Sequence, residues 1–483
     1  MSVLPSIHEP DDPGHIGFRR VAPWAAVILV GLVVFAQQFS LGLFNSTLDE
    51  APAEVKADEE PYDPAIGGLV LSSKELVKVL FQSEREDYEL DEDEVDDAVA
   101  SLEQMAVSRV DRLRVAIVMG EVVGAEAALE RLNLLKSEVT EGGGLANEVY
   151  WLRQLYTAAQ AEVPANIPRD VEDALIDRHG WFGRLAVTFG KPPSNIERWG
   201  VVGGADDLDA FFGLLGLWHL LSFLVGVVFA IILFSKARNG DLDIEIVETG
   251  VPRTVYVEMF AVFMLFFLVM QMVRILFIGD TSPLAAVVPE VLLWVVSSTC
   301  LYPLLRGVSW EEMKIDLGLH RGAGFFKEAG IGVVGYLAGT PLVVLGGMIA
   351  GGVEAAFANE EGALPSAYPM FDFPLSGTWE GVVVGEFSAV LWAPVVEETL
   401  FRGALHRYLP GWLRVPGRVL STAAIFGMIH PYSPAGLVEV GLGGIVFGLL
   451  REWRGSLVAP MVGHFLHNGT IAVTTVGSLV LLQ

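Results

Sequence analysis

The stretch VEETLFRG, residues 396–403, places two adjacent glutamates and an arginine inside an apolar run that extends from about 380 to 406. A run of this length can cross a bilayer as a helix, which needs roughly 20 residues. Ionisable side chains are costly inside lipid, so each one there indicates a function or a specific pairing. Glu398 and Arg402 are four residues apart and share a helix face, which predicts that Arg402 holds Glu398 while Glu397 points elsewhere.

The composition places most of the chain in lipid. Of its 483 residues 52% are hydrophobic, and the mean hydropathy is +0.49, whereas a soluble globular protein has roughly 45–50% apolar residues. The net charge of −28 would repel nucleic acid and anionic lipid, so we expect no nucleic-acid partner. The single cysteine, Cys300, excludes an intrachain disulfide framework.

Hydropathy divides the chain into four parts. Residues 1–20 form a polar tail, 21–44 a retained anchor, 45–205 an acidic segment with helical apolar spacing, and 206–483 a multi-helix membrane domain. The predicted fold class is therefore all-α, with about nine transmembrane helices and a small, acidic, mainly helical extramembrane domain. The candidate spans after the anchor lie near 208–235, 254–278, 284–305, 328–352, 380–406, 418–432, 436–450 and 456–481.

Lysine and arginine collect at alternate span ends, which predicts the orientation because positive loops stay in the cytoplasm. The N-terminal tail is then cytoplasmic and the acidic domain is outside, where it presents a solvated surface that could bind an extracytoplasmic partner. The pattern is typical of a multi-pass protein of a prokaryotic plasma membrane. The positive residues counted are Arg19, Arg20, Lys236, Arg238, Arg306, Lys314, Arg321, Lys327, Arg402, Arg407, Arg414, Arg418, Arg451 and Arg454.

The last spans bring further polar side chains to one depth. Counted from the cytoplasmic span ends at 1.5 Å per residue, Glu397 lies about 13 Å deep, His430 about 18 Å and His464 about 15 Å. Asn468 follows His464 by four residues and shares its helix face. Glu386, three turns before Glu397, is expected on nearly the same face as that glutamate. One carboxylate and two imidazoles at one level suit general-base chemistry.

These residues resemble a known family. Residues 397–402 are similar to the EExxxR motif of the CPBP (CAAX-protease and bacteriocin-processing) membrane proteases, which include the Ras-converting CAAX endopeptidases. Phe426 to His430 resembles their FxxxH motif, and His464 to Asn468 resembles their HxxxN motif. The three motifs stand in family order on successive apolar helices. The likeness covers about 255–481 and does not extend to the acidic segment.

The resemblance implies an intramembrane endopeptidase that hydrolyses a peptide bond of a membrane-associated protein or peptide. Glu397 would activate water, and His430 would help to position it. His464 and Asn468 would stabilise the oxyanion, the term that usually contributes most to acyl transfer. The supporting residues would be Glu398, Arg402 and Phe426.

A metal requirement is left open by the sequence. Glu397, His430 and His464 could form a zinc set with an open fourth position. The chain has no HExxH, GxSG or GxGD segment, so it does not match zinc-helix, rhomboid or presenilin proteases. We favour metal-independent hydrolysis and keep zinc as the alternative cofactor.

Two other functions compete with proteolysis. A membrane scaffold, or an immunity or regulatory factor, could keep this fold without catalysis, and substitution of Glu397 or His430 separates that case from a protease. A transporter would also bury carboxylates, but it predicts paired hydrophobic halves, and the sequence has no such internal repeat.

Overall fold

The computed structural model describes residues 21–36, 67–86, 92–106, 108–139, 142–192, 194–241, 249–275, 283–357, 379–409, 413–430, 432 and 434–481. Within these ranges the chain is helical and forms no strand, which confirms the all-α prediction. The predicted tail, 1–20, and the end of the predicted anchor, 37–44, lie outside the described residues.

The helices are short in the first half of the chain and long in the second. Segments of tighter or wider winding interrupt two of them: a 3-10 turn at Ser297–Leu301 and π segments at Ser388–Trp392 and Thr399–Leu405. The α-helices are α1 Val21–Ala36, α2 Gly67–Glu86, α3 Glu92–Met105, α4 Arg109–Val122, α5 Ala125–Lys136, α6 Gly144–Gln160, α7 Arg169–His179, α8 Trp181–Thr188, α9 Ile196–Val202, α10 Ala205–Asn239, α11 Thr254–Ile275, α12 Pro283–Val296, α13 Tyr302–Leu305, α14 Trp310–Leu317, α15 Phe325–Phe357, α16 Trp379–Phe387, α17 Ala393–Glu398, α18 His406–Tyr408, α19 Val415–Met428, α20 Pro434–Arg454 and α21 Val458–Leu481.

Five of the described helical stretches are long and apolar enough to cross a membrane, so the chain is a multi-pass membrane protein. They coincide with five of the predicted spans, whereas the count of nine stays a prediction. The predicted span at 418–432 falls on α19, whose 14 residues are fewer than the roughly 20 that a span needs. The five stretches are Ala210–Asn239, Thr254–Val273, Val287–Leu305, Phe325–Val353 and Pro434–Arg454.

The described residues separate into two compact units. One, which we call the membrane unit, comprises the described parts of 1–42, 216–374 and 378–474 and carries all the candidate site residues. The other, which we call the small-helix unit, comprises the described parts of 43–215 and 475–483.

The small-helix unit is a stack of neighbouring helices. Helix α4 packs on α5, α5 on α6 and α7 on α8, around a buried apolar core that includes Leu113, Leu132 and Phe182. The chain turns from α4 to α5 at Gly124, whose φ of +118° favours glycine. Helices α4 and α5 therefore form a helical hairpin.

Glycines let α15 approach α20 closely in the membrane unit. A Cβ atom added to Gly335 would lie 2.4 Å from Leu450 Cδ2, and one added to Gly339 would lie 2.5 Å from Val446 Cγ2. Small residues permit this kind of backbone approach between membrane helices, where packing rather than the hydrophobic effect drives association. Helix α20 also packs on α19, so it lies between α15 and α19 and positions both.

The buried ion pair of α4 is expected to stabilise the small-helix unit. Asp111 completes the capping box with Ser108 and lies 3.0 Å from Arg114, both side chains being at most 2% exposed. We expect Asp111→Ala to lower the free energy of unfolding by about 3 kcal/mol, because breaking a buried pair leaves a buried charge. Pulse proteolysis of the full chain in urea measures this change.

The matched control is Glu138→Ala, which removes the exposed partner of Arg112, where the two side chains are 43% and 41% exposed. Its expected effect is below about 1 kcal/mol. Equal losses in the two variants would contradict a stabilising role for the buried pair.

Candidate active site

The two motif glutamates lie on one continuous helical rod, residues 379–408, that contains both π segments. Ser388–Trp392 precedes α17 and Thr399–Leu405 follows it, so α17 and its glutamates lie between them. Such segments are rare and often occur at functional sites. The predicted alignment of Glu386 with Glu397 assumed 3.6 residues per turn, which does not hold across the first π segment.

Glu398 and Arg402 form the buried pair that their spacing predicts. Arg402 Nη1 donates to Glu398 Oε1 at 2.9 Å, and Nη2 donates to the carbonyl of Gly444 on α20 at 3.0 Å. Both charged side chains are 0% exposed. The guanidinium carbon lies 4.4 Å from the ring centre of Phe426 and 5.4 Å from that of Phe447, which adds cation–π contacts. The Arg402 guanidinium therefore joins the rod to α19 and α20.

His464 on α21 lies against both glutamates. Its Nδ1 is 2.9 Å from Glu398 Oε1, and its Nε2 is 3.9 Å from Glu397 Oε2. Since Glu398 is paired with Arg402, the proton of this bond belongs on Nδ1, which leaves Nε2 on the side of Glu397. The ring of Phe447 stacks on the imidazole at 4.9 Å between centres and 16° between planes. The orientation of His464 is therefore fixed from two sides.

The ring of Phe426 lies against both His430 and His464. The Phe426 ring centre lies 4.9 Å from that of His430 and 5.9 Å from that of His464. His430 Nδ1 lies 2.6 Å from the Phe426 carbonyl, and because a carbonyl only accepts, Nδ1 carries the proton and Nε2 is the acceptor. Within the described residues the structure brings His430 to Phe426 and not into a hydrogen bond with Glu397.

Asn468 is hydrogen-bonded to the rod. Its Nδ2 donates to the carbonyl of Ala389, in the first π segment, at 2.7 Å. An amide nitrogen carries two hydrogens, so one N–H is used in this bond and the other is available. This contact joins α21 to the rod at a second point, beside the one made by His464.

The three zinc candidates do not fit a zinc site as they are arranged. Zinc ligand atoms lie about 2.0–2.2 Å from the metal. The bonds of His464 Nδ1 to Glu398 and of His430 Nδ1 to the Phe426 carbonyl leave the two Nε2 atoms as the nitrogens that could face a metal. Within the described ranges no group of three or more His, Cys, Asp or Glu side chains could hold a metal ion. The chemistry proposed below therefore uses no metal.

Sequence reasoning missed a second buried ionic network in the membrane unit. Asp316 on α14 accepts from Tyr256 Oη at 2.7 Å and from Arg407 Nη2 at 3.3 Å. Arg451 donates from Nε to the Arg402 carbonyl at 3.0 Å and from Nη2 to the Asp316 carbonyl at 3.3 Å. Three arginines that the orientation argument counts as positive span ends, Arg402, Arg407 and Arg451, are thus buried inside the unit. The signal in the sequence was that each of these arginines lies near the end of a predicted span, where a buried ion pair can form.

The environments of the adjacent glutamates predict effects of different size on stability. Glu398→Gln removes the charge that pairs with Arg402, so we expect a loss of about 3 kcal/mol in the free energy of unfolding. Glu397 is 17% exposed, and we expect Glu397→Gln to change stability by less than about 1 kcal/mol. Thermal unfolding of the purified full chain in detergent measures both. A variant pair with equal midpoints would contradict the structural role of Glu398.

Comparison with known proteins gives one match, and it falls on this site. Neither the curated proteins nor the solved structures give a match to the chain. Residues 379–470 match the family model described as "Type II CAAX prenyl endopeptidase Rce1-like". The matched segment contains Glu397, His430, His464 and Asn468. The segment that builds the candidate active site is therefore Rce1-like, which confirms the resemblance to the CPBP and CAAX proteases that the three motifs predict.

Proposed function

We propose that this chain is an intramembrane endopeptidase that hydrolyses a peptide bond of a membrane-associated protein or peptide, with Glu397 as the base that activates water. The observation that carries the proposal is the difference between the adjacent carboxylates. Glu398 is 0% exposed and bonded to Arg402 and His464, whereas Glu397 is 17% exposed and faces His464 Nε2 at 3.9 Å. Glu397 is thus the one of the two with room for a water molecule. The family match to CAAX endopeptidases supports the reaction type.

The first step is attack of water on the substrate carbonyl carbon. Glu397 takes a proton from the water while the water oxygen forms a bond to the carbonyl carbon. Glu397 later returns that proton to the departing amine. His430 Nε2 accepts the other hydrogen of the water and so orients the lone pair that attacks. His430 Nδ1 donates its hydrogen to the Phe426 carbonyl at 2.6 Å, so Nε2 is the nitrogen that can accept a hydrogen bond from the water.

The second requirement is stabilisation of the oxyanion. His464 presents Nε2 to the oxyanion as its donor, because Nδ1 is held by Glu398 and the ring is already fixed by Phe447. The second N–H of Asn468 donates beside it while the first remains on Ala389. Donors held in place before the reaction stabilise the developing charge without reorganisation.

The substrate segment is proposed to enter from the cytoplasm or laterally from lipid. The basis is the depth of Glu397, about 13 Å from the cytoplasmic end of its span, together with the orientation given by the positive span ends. A plasma membrane location in a prokaryote, and a partner bound by the small-helix unit, are part of the same proposal. The alternative, a scaffold or an immunity or regulatory factor, differs in that it needs no reactive Glu397.

Removal of the Glu397 carboxylate is expected to abolish cleavage. Glu397→Gln keeps the size of the side chain but cannot accept a proton, so the cleavage rate falls by about 10²–10⁴-fold. Comparative proteomics of the membrane fractions from wild-type and variant cells detects this as lost amino and carboxyl termini.

The matched control is Glu386→Gln, a half-buried carboxylate on the same rod that has no hydrogen bond or ion pair with the described site residues. Its cells are expected to show the wild-type set of termini. If Glu397→Gln also leaves that set unchanged, proteolysis is contradicted and the scaffold alternative is favoured.

Metal chelation is expected to leave the activity intact. Because no metal ligand set is formed by Glu397, His430 and His464, exhaustive treatment of the purified protein with a zinc chelator removes nothing that the reaction needs. Cleavage of an identified substrate before and after chelation measures this. Loss of cleavage that zinc alone restores would overturn the metal-independent mechanism.

A further inference from the structure

The membrane unit contains a cavity of about 130 Å³ lined by α10, α15, α20 and α21. At roughly 30 Å³ per molecule in liquid water, it has room for about four water molecules or more. Apolar side chains and glycines make up half of its fourteen lining residues, and the other seven carry polar side chains. The polar side chains are His219, Tyr336, Thr340, Glu439, His467, Thr470 and Thr474.

The hydroxyl groups of this cavity present acceptor oxygens. Thr340 Oγ1 donates to the carbonyl of Tyr336 at 3.1 Å, and Thr470 Oγ1 donates to that of Leu466 at 2.8 Å. Since each threonine hydrogen is used in its own helix, the hydroxyl oxygens can only accept; Thr470 Oγ1 has Tyr336 Oη at 3.3 Å as one donor, and each oxygen keeps a lone pair for a ligand. The Glu439 carboxyl group adds further acceptors. A small molecule with hydrogens to donate, such as water, satisfies these groups.

A thin wall separates this cavity from the candidate active site. Phe447 lines the cavity and stacks on His464 at 4.9 Å between ring centres. His467 lines the cavity from a position three residues after His464 on α21, which is nearly the same helix face. Its ring centre lies 6.4 Å from that of Tyr336, across the cavity. Phe447 therefore belongs to both the cavity wall and the site.

We propose that this cavity holds a cluster of water molecules within the bilayer and supplies the water that is consumed at Glu397. Each hydrolysed peptide bond uses one water molecule, and lipid around the unit provides none. The polar lining would be costly if it faced a dry space. The supply role rests on the proposed endopeptidase activity, whereas the hydration of the cavity does not.

Cysteine accessibility tests the hydration without any need for proteolysis. The chain has one cysteine, so Cys300→Ala gives a cysteine-free background. In full-length protein in lipid vesicles, Thr470→Cys is compared with Val473→Cys, which is on the same helix and 61% exposed on the outside of the unit. The probe is methanethiosulfonate ethylammonium, which reacts with the thiolate that forms in water.

We expect the Thr470→Cys thiol to react about tenfold faster or more than the Val473→Cys thiol, because a thiol ionises readily only in water. Thr340→Cys, on α15 across the cavity, repeats the measurement if the first variant does not fold. Equal rates at cavity and lipid positions would show a dry cavity and overturn the proposal.

The supply role is tested with Thr470→Val, which keeps the shape of the side chain but removes its oxygen. We expect kcat to fall by about threefold to tenfold with KM unchanged, the equivalent of one lost hydrogen bond to water. The control is Thr422→Val on α19, whose buried hydroxyl donates to the carbonyl of Arg418 and does not line the cavity.

An unchanged kcat in Thr470→Val, with the control also unchanged, would overturn the supply role even if the cavity is wet. If Glu397→Gln shows that the chain does not cleave proteins, the supply role falls together with the proposed function. In that case the cysteine measurement still decides whether the cavity holds water, so the two failures are distinguishable.

Discussion

The guanidinium group of Arg402 donates in two directions, to Glu398 on its own rod and to the Gly444 carbonyl on α20, and it lies against the rings of Phe426 and Phe447. A fully buried charge is costly inside a membrane protein unless it is paired with an opposite charge and hydrogen-bonded. Arg402 has both through Nη1 and Nη2, whereas its Nε has no hydrogen-bond partner among the described residues. The geometry of the site follows from this requirement. Glu398 is held by Arg402, and His464 is held by Glu398. The Arg402 guanidinium thus connects the rod to α19, α20 and α21.

This arrangement also explains how two neighbouring carboxylates come to differ. Successive residues on a helix point about 100° apart, so the two glutamates reach different nitrogens of His464, and only Glu398 also pairs with Arg402. Glu398 points to Arg402 and to the interior, and Glu397 points to the side of His464 Nε2 and is partly exposed. The first supplies rigidity and the second is left for chemistry. Of these two neighbouring glutamates, Glu398 therefore supports the structure and Glu397 is the reactive one.

The sequence predicts those parts of the site that depend on local spacing. The four-residue interval between Glu398 and Arg402, the apolar runs and the order of the three motifs all depend on neighbours along the chain. The parts that it misses depend on distant contacts. The bond from Asn468 to Ala389 joins residues 79 positions apart, and that from Arg407 to Asp316 joins residues 91 apart. Burial of Arg407 and Arg451 follows from such partners, which is why a count of span-end charges placed them at the membrane surface.

The π segments of the rod restrict how its length can change during evolution. Each one holds more residues per turn than an α-helix, so it accommodates residues that regular winding would not. Deleting the extra residue of such a segment would restore regular winding, whereas deleting one from α17 would turn everything before it by about 100° relative to everything after it, and the carbonyl that Asn468 binds would move with the preceding part. Insertions and deletions in α17 are therefore far more damaging than exchanges of one apolar residue for another. Related proteins are expected to differ in the apolar residues of this helix but not in its number of residues.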